Sequence, residues 1–264
     1  MQIDFNIYPG TRISKLNSAI QPFALIAREL FKPFRKNVKE TISYSGDGIT
    51  TSNNCSFLRT EKFKKAYSKC CQSFGSSLNI QWRIHQALWC AHIARHLKGD
   101  IIEFGVGNGL VMSSILEVYE NWENSNKKLF LVDTFSSHNI NSLTGKQDTD
   151  QSVNPFYANS LDLVKSNFSS FKNVEFIVGF VPDVLSSLKL DELSFVHIDM
   201  NYFVPEVAAL EFCWEKIVKG GVILLDDYAY KNHDEQYHAM NKLAKKLNFD
   251  ILTTPTGQGI IIKS

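Results

Sequence analysis

The chain has 264 residues, is 44% hydrophobic and carries a formal net charge of +1. That size and apolar fraction suit one or two globular domains with a substantial core. The balanced charge argues against an electrostatic grip on nucleic acid or an anionic membrane as the main function. No apolar run approaches the roughly 20 residues that span a bilayer.

The N-terminus, Met1 to Asn6, has neither a basic start nor an apolar run, so no secretory signal is expected. The five cysteines, Cys55, Cys70, Cys71, Cys90 and Cys213, form no Cys-x-x-Cys pair. An odd number without metal spacing predicts reduced thiols and a cytoplasmic location.

Residues 1–98 read as a mainly helical N-terminal cap. Ile20, Phe23, Ile26, Leu30 and Phe34 recur at helical spacing, as a core stripe or a subunit contact, which leaves a homo-oligomer open. Lys32, Arg35, Lys36 and Lys39 read as a solvated helix face. Residues 42–56 are polar and contain glycine, which predicts a loop. Residues 80–96 predict a helix leading into the first strand, with Arg83 and His85 either facing the site or at the surface.

From residue 99 the pattern alternates strand and helix. Near-continuous apolar runs at 100–104, 129–133, 174–178, 194–199 and 222–226 predict parallel strands covered on both faces. Between them, Val207, Leu210, Trp214 and Ile217 make one helical stripe, with Pro205 near its start. Tyr237, Met240, Leu243 and Leu247 make another, with Asp234 and Glu235 early and Lys245 and Lys246 late, as the helix dipole favours. Residues 248–253 and 259–263, joined by a Pro- and Gly-containing connector, predict a hairpin. The fold class is α/β, an open doubly wound Rossmann-like sheet of seven strands over residues 99–264.

Glu103-Phe104-Gly105-Val106-Gly107-Asn108-Gly109 ends the first strand and opens a helix. Such a turn brings backbone close to a ligand, and the free N–H groups at the helix start favour an anionic group. It departs from the dinucleotide pattern, because the third glycine would fall at Leu110. Ligands in open α/β sheets bind at the carboxyl ends of strands. Those ends carry Glu103, Asp133, Gly179, Asp199 and the pair Asp226-Asp227. Asp133 is placed to accept hydrogen bonds from a ribose diol. Gly179-Phe180-Val181 offers a backbone amide and an aromatic face to an adenine, although Phe180 equally suits core packing.

Asp199, Asp226 and Asp227 end two strands predicted to lie side by side. Three carboxylates so close repel, and one keeps a proton unless a cation sits among them. Hard oxygen ligands suit Mg²⁺ or a similar ion. Asp226 and Asp227 reach one ion only if the strand has already ended, since the pleat would turn them to opposite faces.

The order Glu103-x-Gly-x-Gly-x-Gly, Val132-Asp133-Thr134-Phe135, Val196-His197-Ile198-Asp199 and Gly220-Gly221-Val222-Ile223-Leu224-Leu225-Asp226-Asp227-Tyr228 resembles the macrocin O-methyltransferase family. These are metal-dependent class I methyltransferases that act on sugar hydroxyls of glycosides, and the closing hairpin is also typical of that class. The resemblance covers roughly residues 95–264. More weakly, Asp47-Gly48-Ile49-Thr50-Thr51 and Trp82-Arg83-Ile84-His85 resemble a branch associated with surface glycans and natural products. The resemblance implies S-adenosylmethionine as cofactor, held by Glu103, Gly105, Val106, Gly107, Asp133, Thr134, Gly179 and Phe180. It implies Asp199, Asp226 and Asp227 as ligands of Mg²⁺ or a similar divalent cation, with Asp199 also a candidate base. Met200-Asn201-Tyr202-Phe203 departs from the Gly-Asp then Tyr that often follows in the family, which alters the acceptor side of the site.

The expected partner is a small-molecule hydroxyl acceptor, a sugar or glycoside. The loop 136–155 reads as a polar lid, and its His138 as a second candidate base or a solvent-exposed histidine. A nicotinamide oxidoreductase would call for a Tyr-x-x-x-Lys relay, and Tyr228-Ala229-Tyr230-Lys231 has the wrong spacing. A non-catalytic relative would be expected to lose the carboxylates, and an N-methyltransferase would dispense with the metal.

Overall fold

A computed structural model of the chain describes residues 42–135 and 160–264. The apolar stripe and basic cluster of the first 41 residues, His138 and the loop 136–155 lie outside the described residues. Residues Ser43–Ser264 pack as one unit.

Strands β1 (Tyr44–Gly46) and β2 (Ile49–Thr51) form a small antiparallel hairpin where a loop was expected. Asp47 and Gly48 both take positive φ, 48° and 75°, in its two-residue turn. Asp-Gly is the sequence that such a turn selects, and it outweighs the polar composition of the flanks.

Helix α1 (Glu61–Phe74) starts at Thr60, whose side chain accepts from Phe63 N, and stops at Gly75 in the left-handed conformation. Helix α2 (Gln81–Ala94) buries Arg83, Ile84, Ala87, Cys90, Ala91 and Ala94. Alanine and cysteine dominate that face, so the helix can approach the sheet closely. It packs against strands β6 (Leu193–Ile198) and β7 (Ile217–Leu225).

The remaining elements are β3 (Asp100–Phe104), α3 (Leu110–Glu117), β4 (Leu129–Asp133), α4 (Leu161–Asn167), β5 (Val174–Val178), α5 (Phe203–Cys213), α6 (Asp234–Leu247), β8 (Leu252–Thr253) and β9 (Gly259–Ile262). The seven-stranded sheet runs β5-β4-β3-β6-β7-β9-β8. Neighbours among β3 to β7 pair in parallel, and β9 pairs antiparallel with both β7 and β8. This is the expected doubly wound sheet with its closing hairpin.

Alternation along the strands sorts the core. Ile102, Phe104, Val196, Ile198, Ile223 and Leu225 face α5 and α6, while Ile101, Leu131, Phe195, Val222 and Leu224 face α2 and α3.

Two boundaries moved. Helix α5 ends at Cys213, a 3-10 turn takes Trp214–Lys216, and Ile217 already begins β7. Trp214 and Ile217 are buried as their spacing implied, but by a turn and a strand. Strand β7 starts five residues early because its pairing with β6 shifts between Leu193 and Phe195. The Gly220-Gly221 segment takes up that irregularity, with Gly220 at φ 82°.

Candidate active site at the carboxyl edge of the sheet

Strands β3 and β6 are neighbours, yet the chain leaves them toward opposite edges of the sheet. Their carboxyl ends therefore form the crevice where open α/β sheets bind ligands. The glycine loop fills that position. At Gly105, with φ 80°, an added Cβ would stand 1.9 Å from the Asp199 carbonyl oxygen. Only glycine lets the loop after β3 cross so close to the segment after β6.

Asp133, at the end of β4, holds this loop from the other side. Its Oδ2 accepts from Val106 N at 2.6 Å and Gly107 N at 3.1 Å. Its Oδ1 accepts from Phe135 N at 2.9 Å and from the Thr134 hydroxyl at 3.3 Å. Gly179 N donates to the Asp133 carbonyl at 2.9 Å, which brings the turn after β5 to the same edge. Phe180 next to it is 39% exposed, so its ring is not core packing.

Glu103 is one residue short of the end of β3 and only 1% exposed. Its Oε1 lies 2.8 Å from His197 Nδ1, on the paired residue of β6. His197 Nε2 stands 3.9 Å from Asp226 Oδ1, an electrostatic contact beyond hydrogen-bond range. Burial works to lower the His197 pKa, but the two carboxylates overcome it and push it up to about 10. Burial raises Glu103, and the imidazolium opposes that rise.

Asp199, Asp226 and Asp227 each place a carboxylate oxygen so that all three lie within 4.8 Å of one another. Both aspartates of the pair lie beyond Leu225, where β7 has ended, so the pleat no longer separates them. Burial and then the charges of Asp226 and Asp227 raise Asp199 well above the usual carboxylate range. Burial and the Asp226 charge push Asp227 up to about 6. Asp226 goes the other way. Burial would raise it, but the Arg83 guanidinium, the charge of the nearby His197 imidazolium and the hydrogen bond from Gln258 hold it low. On α5, Glu206 accepts from Met200 N at 3.2 Å and is pushed up to about 8 by burial and by Asp227.

The guanidinium of Arg83 reaches into this cluster from α2. Its NH1 donates to Asp226 Oδ2 and, at 3.0 Å, to the Asp226 carbonyl, and it lies 3.5 Å from Asp227 Oδ1. Its NH2 donates to the Thr256 carbonyl at 3.1 Å, and its Nε donates to Asp47 Oδ2 at 2.9 Å. The Tyr230 ring stacks on it at 4.6 Å. Gln258 Nε2 donates to Asp226 Oδ1 at 2.7 Å.

A divalent cation fits this donor set. The oxygens are hard ligands, and one guanidinium charge leaves the three carboxylates with a negative excess. Among the described residues, ion pairs reach Asp226 and Asp227, and none reaches Asp199.

The family profile for Macrocin-O-methyltransferase (TylF) matches residues 54–255. The chain belongs to this family. The matched family is one of O-methyltransferases, and the seven-stranded sheet with its closing antiparallel hairpin has the fold of the class I methyltransferases.

A curated relative is the 8-demethyl-8-(2,3-dimethoxy-alpha-L-rhamnosyl)-tetracenomycin-C 4'-O-methyltransferase of Streptomyces olivaceus. It is 23% identical over 162 residues, spanning 57% of this chain and 59% of the relative, less than two thirds of its length. Among solved structures, the O-methyltransferase NovP superposes with a TM-score of 0.63 at 16% identity, over 80% of this chain and 100% of that one. CalS11, a calicheamicin methyltransferase, gives 0.55 at 14% identity, over 80% and 98%. At such identities these two structures speak for the fold alone.

Three contributors to the site carry no clear mark in the sequence. By sequence Arg83 suits site and surface alike, and no local pattern gives Asp47 or Gln258 a role in the cluster. The signal for Arg83 was its place on the buried face of α2, since an arginine among alanines and cysteines needs carboxylate partners. Nothing local marks Gln258, which lies in the connector of the closing hairpin. His85 stacks on Phe57, with ring centroids 3.9 Å apart. No helix among the described residues is long and apolar enough to cross a membrane.

Proposed function

We propose that this chain transfers a methyl group from S-adenosylmethionine to a hydroxyl of a sugar or glycoside, with a divalent cation such as Mg²⁺ at Asp199, Asp226 and Asp227. The observation that carries the reading is the carboxylate cluster beside the glycine loop. Asp199 lies against Gly105, so an acceptor oxygen held at the cluster is next to the cofactor edge. The sugar acceptor is drawn from the rhamnosyl-directed curated relative and from the family.

S-adenosylmethionine supplies the electrophilic methyl, and a divalent cation supplies Lewis acidity toward the acceptor hydroxyl. On the chain's side, Glu103 and the backbone of Gly105, Val106 and Gly107 hold the cofactor. Asp133 and Thr134 face its ribose, and Gly179 and Phe180 its adenine. Asp199 takes the hydroxyl proton as the carbon–oxygen bond forms and the carbon–sulfur bond breaks. His138, outside the described residues, is the second candidate for that task. Holding oxygen, carbon and sulfur in line supplies several kcal/mol of the barrier reduction. The protein acts as a soluble cytoplasmic enzyme with no nucleic-acid partner.

The test combines calorimetry with S-adenosylhomocysteine, with and without Mg²⁺, and an acceptor screen of rhamnosides, other glycosides and catechols. The expected result is S-adenosylhomocysteine binding without NAD binding, and methyl transfer to a glycoside that stops with chelator and returns with Mg²⁺. Turnover insensitive to chelator would remove the cation from the mechanism. Binding of NAD in place of S-adenosylhomocysteine would remove the cofactor assignment.

A further inference from the structure

We infer that Arg83 is a positioning residue of the carboxylate cluster, and that Asp47 fastens it, so that the β1–β2 hairpin is a working part of the cation site. The inference rests on the divalent-cation reading above.

One buried guanidinium ties three distant segments to helix α2. Arg83 and Asp47 have side chains only 9% and 5% exposed. The guanidinium engages the hairpin turn through Asp47, the end of β7 through Asp226 and Asp227, and the closing hairpin through Thr256. Asp226 is thereby held at both oxygens, Oδ2 by Arg83 and Oδ1 by Gln258. A carboxylate fixed from both sides presents its remaining lone pairs in one orientation. Removing groups that orient ligands in this way typically weakens metal affinity by about 10- to 100-fold.

A second account competes. Arg83 is also a positive charge beside a cation site, and charge alone would weaken cation binding. Two substitutions separate the accounts. Arg83→Lys keeps the charge but loses the planar fork, so one ammonium cannot serve Asp47, Asp226 and Thr256 together. Arg83→Met removes the charge as well. If Arg83 positions, both variants bind a divalent cation more weakly. If it acts only as a charge, the Lys variant matches wild type and the Met variant binds more tightly.

The experiment is a Mn²⁺ titration of the full chain followed by electron paramagnetic resonance, with S-adenosylhomocysteine calorimetry on the same samples. Arg83→Lys is expected to weaken Mn²⁺ binding by about tenfold or more, the range of other supporting groups. Asp47→Asn leaves Arg83 against Asp226 but loosens its anchor, and is expected to weaken Mn²⁺ by about threefold. S-adenosylhomocysteine affinity should stay within about twofold of wild type in all variants, which also reports that they fold. If Arg83→Met fails to fold, the Lys and Asn variants carry the test alone. Wild-type Mn²⁺ affinity in both Arg83→Lys and Asp47→Asn overturns the inference and leaves the cation reading standing. No Mn²⁺ binding by the wild-type protein overturns the cation reading, and the inference with it.

Discussion

On the β3–β4 side of the rim, acidic groups are held by nearby backbone and by the neighbouring strand. Asp133 binds the amide of Phe135 two residues on and those of Val106 and Gly107 across one crossover. On the β6–β7 side the carboxylates depend on side chains brought from far along the sequence. Arg83 lies 143 residues from Asp226 and 173 from Thr256. In the first half, Asp133 is met by amide dipoles that the turns supply and Glu103 by the His197 imidazole. The second keeps an excess of charge that burial makes costly, and its unequal carboxyl pKa values record that excess. An unbalanced carboxylate cluster is suited to take a cation.

Separate substitutions should break one half without the other. The largest effect is expected on the carboxylate side, where Asp199→Asn, Asp226→Asn and Asp227→Asn should each lower kcat by about 10³-fold while S-adenosylhomocysteine still binds. Asp199→Asn should resist rescue by excess Mg²⁺ if that residue also takes the proton. Steady-state kinetics beside calorimetry measures both. Loss of cofactor binding in all three would mean the halves are not separable.

Gly105→Ala strikes the seam between the halves. Its Cβ meets the Asp199 carbonyl at 1.9 Å in a backbone region disfavoured for alanine. We expect about 3 kcal/mol or more of lost stability, read by chemical denaturation. Gly107→Val, on the cofactor side alone, should abolish S-adenosylhomocysteine binding and spare Mn²⁺ binding.

The buried His197 joins the halves and gives a pH signature. Its folded pKa, about 10, lies above the ordinary histidine value. A raised histidine pKa contributes stability that is fully present below about pH 6.5 and lost as pH climbs toward 10. Stability of the wild type should therefore fall over that window by an amount on the order of a few kcal/mol. His197→Gln should be less stable at pH 7 and should flatten the fall. Parallel slopes for the two proteins in denaturation between pH 7 and 10 would show that the imidazolium is not the coupled group.

The smallest expected effect is at Phe180. Its half-open ring should contribute about 1 kcal/mol to cofactor binding, so Phe180→Ala should weaken S-adenosylhomocysteine about fivefold and leave Mn²⁺ alone. An unchanged cofactor affinity would return Phe180 to an ordinary surface position.

The parallel strands were legible because strands buried on both faces need unbroken apolar runs, as in Leu129 to Val132 and Val222 to Leu225. The rim carboxylates were legible because each sits where its run ends. The hairpin at Tyr44–Thr51 was hidden behind polar flanks, although its Asp-Gly turn was in view. The end of α5 was misplaced because Trp214 and Ile217 continue a helical spacing that a 3-10 turn and a strand satisfy equally well.

The sequence by itself determined the doubly wound sheet, the glycine turn with its acid, and which strands end in carboxylates. Each of these rests on local chemistry: alternation, positive φ and the punctuation of apolar runs. Tertiary structure decided which charges meet. A buried guanidinium takes whatever carboxylates the fold delivers, and Asp47, Asp226 and Gln258 lie on three segments with no local reason to converge. Packing of α2 over β6 and β7 brings them together, because its small-residue face lets Arg83 reach the ends of the strands.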